Sequence, residues 1–330
     1  MTESAGFRDV EHARIGVIGA GLIGRGWSTV FARAGHPVAI YDDDPGALER
    51  GLAAIDGILG ELERAGVLSE PAAVIRARIT AVDSLEAAAA EADYVQECAA
   101  ELLEVKKTVF AALNASAPKG AVLASSTSMI PASTFSAGLS AADRCVVVHP
   151  AHPVHLMPVV EISPSPWTSA ATVERTRALQ ASVGQSPVVL RREIQGFILN
   201  RLQGAVLREA VSLWANGYAS ADDIDRTVRD GLGLRWSFMG PLETFDLAAP
   251  GGIADSARRY GPGFAGIAAT STEVEWTPEL MARLEAERAA IQPRETLAER
   301  GRWRDRRLTG LLVHKRAAAE RDRADATDHE

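Results

Sequence analysis

The sequence predicts an α/β fold in which a mostly parallel sheet with an inserted helical hairpin is followed by an all-helical C-terminal domain. Short apolar runs alternate with Ala-rich helical stretches as far as Leu190, and this alternation is typical of a parallel sheet. From Glu193 onward the strand signals stop and helical patterns take over. Because 330 residues exceed the usual size of one hydrophobic core, we expect two domains, residues 1–192 and 193–330.

The first predicted strand, Arg14–Ile18, runs directly into a glycine-rich motif, Gly19–Gly24, which opens the first helix. In such a motif Gly19 permits a tight turn, Gly21 lets the backbone approach a pyrophosphate, and Gly24 lets the helix pack against the strand. The N-terminus of the helix then faces the phosphate charge. The motif therefore predicts that the first domain is a Rossmann-type dinucleotide-binding domain.

A second strand, Pro37–Tyr41, ends at Asp42, which lies 23 residues after Gly19. This offset is close to the roughly 20 residues that separate the motif from an acid that binds the ribose hydroxyls. A carboxylate there repels a 2′-phosphate, and Asp42–Pro45 contains no basic residue, so NAD is favoured over NADP as the cofactor. The cofactor ligands predicted from this βαβ segment are Gly19, Gly21, Leu22, Ile23, Gly24 and Asp42.

The remaining elements of the first domain follow in order. A helical hairpin, Pro45–Gly66 and Ser69–Arg78, precedes the third strand. Further strands are predicted at Ile79–Val82, Tyr94–Cys98, Ala121–Ala124, Cys145–Val148, Val159–Ser163 and Val188–Leu190. Ligands of open α/β sheets bind beyond the carboxyl ends of the strands. Five candidate positions fall at such ends, namely Gly19, Asp42, Glu97, Ser125 and His149.

The C-terminal half is predicted to be helical. Helices are expected over Ile194–Asn216 and over Ser220–Asp230, the second beginning with a Ser220 cap and ending at Gly231. The tail Arg316–Glu330 is charged and lacks an apolar face, so we expect it to be frayed or disordered. An apolar stripe on the first of these helices predicts that the domain pairs with its copy in a homodimer, through Ile198, Leu202, Val206 and Leu213.

His149 is the strongest candidate for a catalytic residue. It closes the apolar run Cys145–Val148, and Glu161 follows twelve positions later across another apolar stretch. A buried carboxylate bonded to an imidazole fixes its tautomer and stabilises the imidazolium, so His149 is suited to take a proton from an alcohol near neutral pH. His152 and His155 lie close by, but Pro150 and Pro153 prevent one helical face from aiming the three imidazoles together, and no metal site is predicted.

Composition narrows the class of protein. The net charge of −8 gives no basic surface for nucleic acid or for an anionic membrane, so neither is an expected partner. No stretch of 18 apolar residues is present, and the polar N-terminal residues do not form a signal peptide. We therefore expect a cytoplasmic protein.

Taken together, these motifs resemble the 3-hydroxyacyl-CoA dehydrogenase superfamily, most closely its lambda-crystallin or L-gulonate 3-dehydrogenase branch. The resemblance covers nearly the whole chain. It is carried by Gly19–Trp27, Gln96–Cys98 with Glu101, Ser125–Ser128, His149–Pro150 with Pro158–Glu161, Gly196–Gln203, and Asp230–Arg235 with Met239–Thr244.

The resemblance implies an NAD-dependent enzyme in which His149 is the general base and Glu161 orients it. Ser128 and Asn200 would hydrogen-bond the reacting oxygen, where a developing alkoxide needs donors. The family also implies that Glu101 and Lys106 line the nicotinamide side of the cofactor site. His152 departs from the family pattern, in which Asn is usual, and its position near the reacting carbon makes it a candidate substrate ligand.

Three classes of substrate remain open. A free L-3-hydroxy acid such as L-gulonate is favoured because Arg235 could bind its carboxylate bidentately, with an ion pair as the alternative role of Arg235. A 3-hydroxyacyl-CoA such as 3-hydroxybutanoyl-CoA is the second choice. L-carnitine is the third, with a possible aromatic cage for its trimethylammonium group at Trp236, Phe238 and Phe245. An NAD-binding structural or sensor protein is the non-enzymatic alternative.

Overall fold

The computed structural model describes residues 10–270 and 272–327 of the chain. These residues form two compact units: one contains the described residues up to Asn200 together with those from Arg302 onward, and the other spans Arg201–Gly301. The sequence places the division at residue 192 and assigns the C-terminal residues to the second domain. Residues 1–9, on which the prediction of no signal peptide depends, lie outside the described residues.

The first unit contains a single sheet of eight strands among its described residues. They are β1 (Ile15–Ile18), β2 (Val38–Tyr41), β3 (Ile79–Ala81), β4 (Tyr94–Glu97), β5 (Val122–Ser125), β6 (Cys145–Pro150), β7 (Val159–Pro164) and β8 (Ser186–Val189). Their order is β3-β2-β1-β4-β5-β6-β7-β8, and all neighbours are parallel except β6 and β7, which are antiparallel. The predicted Rossmann-type, mostly parallel sheet is confirmed.

Helices cover both faces of this sheet. They are α1 (Leu22–Arg33), α2 (Pro45–Arg64), α3 (Ala72–Arg76), α4 (Leu85–Ala89), α5 (Leu103–Ser116), α6 (Ala132–Ser136) and α7 (Ala170–Ser182). Trp27 and Phe31 stack at 5.3 Å in one buried cluster, while Phe110 and Phe135 pack at 4.4 Å in the other. The inserted hairpin is α2 and α3, and α3 begins only after Pro71.

Strand direction gathers the candidate site residues at one edge of the sheet. Because β1, β2, β4, β5 and β6 are parallel, their carboxyl ends lie on the same side. Gly19, Asp42 and Cys98 directly follow the first three of these strands, and His149 lies near the end of β6. Since β7 runs in the opposite direction, Glu161 stands directly across from His149 in the strand register.

The later part of the chain is helical. Its helices are α8 (Leu199–Ala215), α9 (Ala221–Arg226), α10 (Gly233–Trp236), α11 (Pro241–Asp246), α12 (Gly252–Thr270), α13 (Pro278–Ile291) and α14 (Leu297–Thr327). The predicted helix stop at Gly231 is wrong, because a π-helical segment, Thr227–Leu232, joins α9 to α10. Gly231 does not take the positive φ angle of a terminating glycine, and glycine permits that conformation without requiring it.

The predicted disorder of the C-terminal tail is also wrong where the structure describes it, since α14 continues to Thr327. Its Ala, Arg, Glu and Lys residues are strong helix formers, and propensity outweighs the missing apolar stripe. Residues 328–330 lie outside the described part. Among the helices of residues 10–270 and 272–327, none has the length and apolar character needed to cross a membrane.

Candidate active site

The turn between β1 and α1 forms a glycine cradle. Gly19 has φ of +104°, and a Cβ atom there would lie 2.6 Å from the carbonyl oxygen of Cys98. A Cβ atom at Gly24 would fall 1.8 Å from the carbonyl oxygen of Gly19, so only glycine lets the helix approach the turn. At Gly21, by contrast, a Cβ atom would meet nothing within 4 Å. The turn thus leaves open space in front of Gly21, at the start of α1, where a pyrophosphate would lie.

Asp42 is fixed beside this cradle. Its Oδ2 atom accepts a hydrogen bond of 2.7 Å from the backbone N–H of Ala20, and its Oδ1 atom accepts one of 3.0 Å from the backbone N–H of Asp44. The carboxylate is therefore anchored to the glycine turn, at the end of β2, where a ribose-binding acid is required. The residues present fit NAD, with Gly19–Gly24 to hold its pyrophosphate and Asp42 to bind its ribose hydroxyls.

His149 and Glu161 form a buried pair. Their Nδ1 and Oε2 atoms are 2.8 Å apart, and the two residues are 5% and 2% exposed. When the carboxylate is ionised, the Nδ1–H group of neutral His149 donates to it, and the lone pair of Nε2 is left to accept a proton. The pair has the arrangement of a general base with an orienting carboxylate.

The other oxygen of Glu161 is bound by the start of α8. Oε1 accepts hydrogen bonds from the backbone N–H groups of Ile198 at 2.7 Å and Leu199 at 2.9 Å. The turn that presents these groups uses positive φ angles, +74° at Gly196 and +50° at Phe197. The fully buried Phe197 ring also lies 5.3 Å from the His149 imidazole, so this turn contacts both members of the pair. The sequence did not predict these contacts.

Glu101 organises the loop after β5. Its Oε1 atom accepts hydrogen bonds from the Thr127 hydroxyl at 2.7 Å and from the backbone N–H groups of Ser128 at 2.9 Å and Met129 at 3.0 Å. Burial acts to raise the pKa of Glu101, but the hydrogen bond from Thr127 and the charge of Lys106 outweigh it, so the pKa is lowered. Glu101 is therefore held as a carboxylate beside Ser128.

Lys106 is enclosed by carboxylates. Its side chain is 1% exposed, and its Nζ atom lies 3.0 Å from Oε1 of Glu97 and 3.4 Å from Oε2 of Glu101. Glu97 also accepts hydrogen bonds from the Ser125 hydroxyl and from the backbone N–H of Ala99. Burial raises the pKa of Glu97, while Lys106 and Ser125 act to lower it. Lys106 thus acts on the site through Glu101. Glu97, which the sequence indicated only as the end of a strand, also belongs to this site.

Ser128 and Asn200 are brought together, although not as free donors. The Asn200 side-chain amide donates to the carbonyl oxygen of Ser128 at 2.9 Å, and the Ser128 hydroxyl lies 3.3 Å from Oε1 of Glu101. Ser128 is half-buried. The first turn of α8 therefore holds the Ser128 loop through Asn200 and the His149–Glu161 pair through Leu199.

Three predicted substrate ligands lie on other elements of the chain. His152 is an exposed residue of the loop after β6. Arg235 and Trp236 lie on α10 in the second unit, and both are exposed. Their assignment to the substrate stays a prediction.

Comparisons with known proteins show the family of this chain. Residues 14–194 match the family model of the 3-hydroxyacyl-CoA dehydrogenase NAD-binding domain, and residues 196–292 match that of the C-terminal domain. The chain is 40% identical over 306 residues to the lambda-crystallin homolog of Bos taurus, covering 91% of this chain and 95% of that protein. It is 40% identical over 250 residues to an L-carnitine dehydrogenase of Streptomyces griseus, covering 76% and 74% of the two chains.

A solved structure resembles almost the whole chain. The crystal structure of an NAD⁺-dependent dismutase, 5-formyl-3-hydroxy-2-methylpyridine 4-carboxylic acid 5-dehydrogenase, superposes with a TM-score of 0.80 at 27% identity. The match covers 92% of this chain and 98% of that one. With both family domains matched in sequence and the NAD cradle present in the structure, the chain belongs to the 3-hydroxyacyl-CoA dehydrogenase family of NAD-dependent dehydrogenases.

Proposed function

We propose that this dehydrogenase oxidises the 3-hydroxyl group of a small L-3-hydroxy acid, of the L-gulonate type, to the 3-keto acid. The observation that carries the proposal is the buried His149–Glu161 pair, in which Glu161 is held on both oxygens and His149 Nε2 is left to act. In this reaction His149 takes the proton of the substrate hydroxyl, and Glu161 stabilises the imidazolium that forms. When bound at Gly19–Gly24, NAD supplies the hydride acceptor for this oxidation.

The loop at Ser128 supports the developing negative charge on the reacting oxygen. Glu101 orders the backbone of this loop, and Asn200 ties it to α8. The half-buried Ser128 hydroxyl donates to Glu101 over a long 3.3 Å, and in this proposal it turns from Glu101 to donate to the substrate oxygen. Asn200 acts in this proposal by positioning Ser128.

A free carboxylate is the preferred substrate feature. Two of the similar proteins, the L-carnitine dehydrogenase and the pyridine carboxylic acid dehydrogenase, are named after compounds that carry a carboxyl group. Arg235 remains the residue that the sequence predicts for binding this carboxylate, and its exposure on α10 is compatible with that role. A 3-hydroxyacyl-CoA is the alternative, which the family name itself supports.

L-carnitine is a second candidate with an observation in its favour. A groove of about 1010 Å³ in the second unit is lined by Trp276, by the acidic residues Glu209, Glu273 and Glu275, and by one basic residue, Arg208. An aromatic ring and carboxylates are the groups that attract a quaternary ammonium ion. Phe245 of the predicted aromatic cage instead packs edge-on against Phe264, with the ring centres 5.9 Å apart.

We further propose that the chain forms a homodimer through the second unit. Leu202, from the predicted apolar stripe, is 56% exposed, and Phe238 is 71% exposed; both belong to the second unit. Apolar groups left in solvent at this level favour association. Light scattering coupled to size exclusion should give twice the mass of one chain.

The test of the proposed reaction is a screen for NADH formation, read at 340 nm. L-gulonate, L-3-hydroxybutyrate, 3-hydroxybutanoyl-CoA and L-carnitine are compared, with His149→Ala as the inactive control. We expect turnover with a free hydroxy acid and its loss in His149→Ala without loss of NAD binding. Turnover with the CoA ester alone would refute the substrate class, and full activity of His149→Ala would refute the mechanism. NAD binding without any turnover would favour the structural or sensor alternative.

A further inference from the structure

A group of charged side chains lies at the carboxyl ends of β4 and β5, the two strands that separate β1 from β6 in the sheet. Its members are Glu97, the last residue of β4, Glu101, in the loop that follows, and Lys106, on α5. We call these three residues the carboxylate cluster. The proton transfer proposed above does not use the charge of this cluster.

The carboxylate cluster contains two carboxylates and one ammonium group. Oε1 of Glu97 accepts hydrogen bonds from the backbone N–H of Ala99 at 2.8 Å and from Nζ of Lys106 at 3.0 Å. Oε2 accepts from the same Nζ atom at 3.1 Å and from the Ser125 hydroxyl. These four contacts occupy the acceptor positions of an ionised carboxyl group, so Glu97 is a carboxylate. Glu101 is a second carboxylate that shares Lys106, and the cluster has one negative charge in excess.

Glu101 presents this excess charge at the surface. The side chains of Glu97 and Lys106 are 0% and 1% exposed, whereas that of Glu101 is 40% exposed. Nζ of Lys106 lies closer to both oxygens of Glu97 than to Oε2 of Glu101, at 3.4 Å. Because the buried carboxylate engages the ammonium group, the charge of Glu101 is only partly neutralised.

On one side the cluster contacts the glycine cradle. Glu97 pairs with Ile18, the last residue of β1, in the register of the two strands. The backbone N–H of Cys98 donates to the carbonyl oxygen of Ile18 at 2.7 Å, and a Cβ atom at Gly19 would lie 2.6 Å from the carbonyl oxygen of Cys98. The end of β4 and the cradle are therefore neighbours.

On the other side the cluster is joined to the buried pair of the active site. Glu101 accepts the backbone N–H of Ser128 at 2.9 Å, and the Asn200 side chain donates to the carbonyl oxygen of Ser128 at 2.9 Å. Leu199, which precedes Asn200, donates its backbone N–H to Glu161 at 2.9 Å. A continuous chain of contacts thus places the carboxylate cluster between the cradle and the pair.

A dinucleotide that connects these two places extends over the cluster. Asp42, which fits the ribose of the adenosine half, stands at the end of β2, whereas β4 and β5 lie on the other side of β1. The nicotinamide half therefore lies toward β4 and β5, since hydride transfer requires its ring beside the substrate carbon at His149. For this placement the inference rests on the proposed function. The nicotinamide ring carries a positive charge in NAD⁺ and none in NADH.

We propose that Glu101 is the residue by which the cofactor site distinguishes NAD⁺ from NADH. Its negative charge attracts the charged ring of the oxidised cofactor and gains nothing from the neutral ring of the reduced one. The carboxylate cluster thereby promotes release of NADH after a hydroxy acid has been oxidised. Because water screens a side chain that is 40% exposed, the expected effect on relative affinity is about five- to tenfold.

The test measures the dissociation constants of NAD⁺, NADH and ADP-ribose with the full-length protein in the absence of substrate. NADH is titrated by its fluorescence, and the other two ligands are titrated by displacement of NADH. The readout is the NADH constant divided by the NAD⁺ constant, which cancels any loss of affinity that both cofactors share. ADP-ribose lacks the nicotinamide ring, so it reports on the cradle and on Asp42 alone.

Three variants separate the charge of Glu101 from its structural role. Glu101→Gln removes the charge and keeps an oxygen for the three donors of Oε1. We expect it to weaken NAD⁺ binding at least about fivefold and to change NADH and ADP-ribose binding less than about twofold. Glu101→Asp keeps the charge, so its ratio should stay within about twofold of the wild type. Glu104→Gln is the matched control, because Glu104 is an exposed carboxylate on α5 that pairs with Lys107, and its ratio should equal that of the wild type.

Three results would overturn the proposal. One is an unchanged ratio in Glu101→Gln. Another is an equal loss of affinity for all three ligands, because the carboxylate would then act on the cradle through the loop. The third is a ratio in Glu101→Asp as low as in Glu101→Gln, because the order of the loop and not the charge would then be responsible.

The absence of substrate separates this inference from the proposed reaction. If free hydroxy acids are oxidised and the ratio in Glu101→Gln equals that of the wild type, the reaction stands and the role of Glu101 is wrong. If no free acid is oxidised but the ratio falls in Glu101→Gln and is kept in Glu101→Asp, the role of Glu101 stands and the proposed reaction is wrong.

Discussion

Replacing Glu161 with Gln tests the catalytic pair most sharply, because Gln keeps the size of the side chain and changes only its charge and donors. Oε1 of Glu161 accepts the N–H groups of Ile198 and Leu199, and an amide oxygen accepts them equally well. The amide NH₂ group then lies against Nδ1 of His149, 2.8 Å away in the wild type, and donates to it. His149 is thereby forced into the tautomer with its proton on Nε2, which removes the base from the position that faces the substrate.

The size of the effect follows from this change of tautomer. In a serine protease, the Asp→Asn change that leaves the geometry intact and imposes the wrong His tautomer lowers kcat about 10⁴-fold. Because each tenfold in rate corresponds to about 1.4 kcal/mol, a loss of 10³ to 10⁴ is about 4 to 5.5 kcal/mol of transition-state stabilisation. We expect Glu161→Gln to lower kcat by about 10³-fold or more, with KM and NAD binding changed less than threefold.

Glu161→Ala is the comparison that separates charge from structure. It leaves the N–H groups of Ile198 and Leu199 without an acceptor, and an unsatisfied buried donor costs about 1–3 kcal/mol. Its free energy of unfolding should therefore fall by about 2 kcal/mol or more, whereas that of Glu161→Gln should stay within about 1 kcal/mol of the wild type. Rates of NADH formation and urea unfolding curves measure the two effects. A Glu161→Gln protein with at least a third of the wild-type kcat would refute the assignment of His149 as a base oriented by Glu161.

Three further predictions follow from the same structure. Gly21→Ala should change the melting temperature of the ligand-free protein by less than about 2 °C, roughly the effect of a surface change, because the added Cβ atom meets nothing within 4 Å. The NAD dissociation constant of this variant, measured by fluorescence titration, should rise more than about tenfold. An unchanged constant would contradict the role of the glycine cradle in NAD binding. Lys106→Met removes the counter-charge of Glu97 and should lower the free energy of unfolding, measured by urea denaturation, by about 3–5 kcal/mol. A urea unfolding curve equal to that of the wild type would show that the Lys106–Glu97 pair contributes nothing to stability. Burial lowers the pKa of His155 from 6.5 to about 4. Between these two pH values the unfolded chain binds more protons than the folded chain, so the free energy of unfolding rises with pH by about 3 kcal/mol, and this contribution is lost as the pH falls from 6.5 toward 4. A His155→Asn protein whose free energy of unfolding has the same pH dependence as that of the wild type would contradict this prediction.

Local sequence patterns were enough to predict the glycine cradle and to single out His149 and Glu161 as a pair. Gly19–Gly24 lies between a strand and a helix that are contiguous in the chain, so the turn geometry is set by local glycine conformations. His149 was recognisable because it closes an apolar strand, and Glu161 because a second apolar stretch leads to it. These are local signals, and the fold that they predict is confirmed by the eight-stranded sheet.

The way in which these residues are held could not be predicted, because it depends on contacts between distant parts of the chain. The antiparallel turn from β6 to β7 sets Glu161 opposite His149, and the left-handed turn at Gly196 and Phe197 brings two backbone N–H groups to the same carboxylate. The contacts of Lys106 with Glu97, and of Arg33 with the carbonyl oxygen of His155, join residues whose spacing in sequence carries no periodicity. Pairing over such distances depends on burial and on the desolvation of charges in the folded chain, and no local pattern of residue types records it.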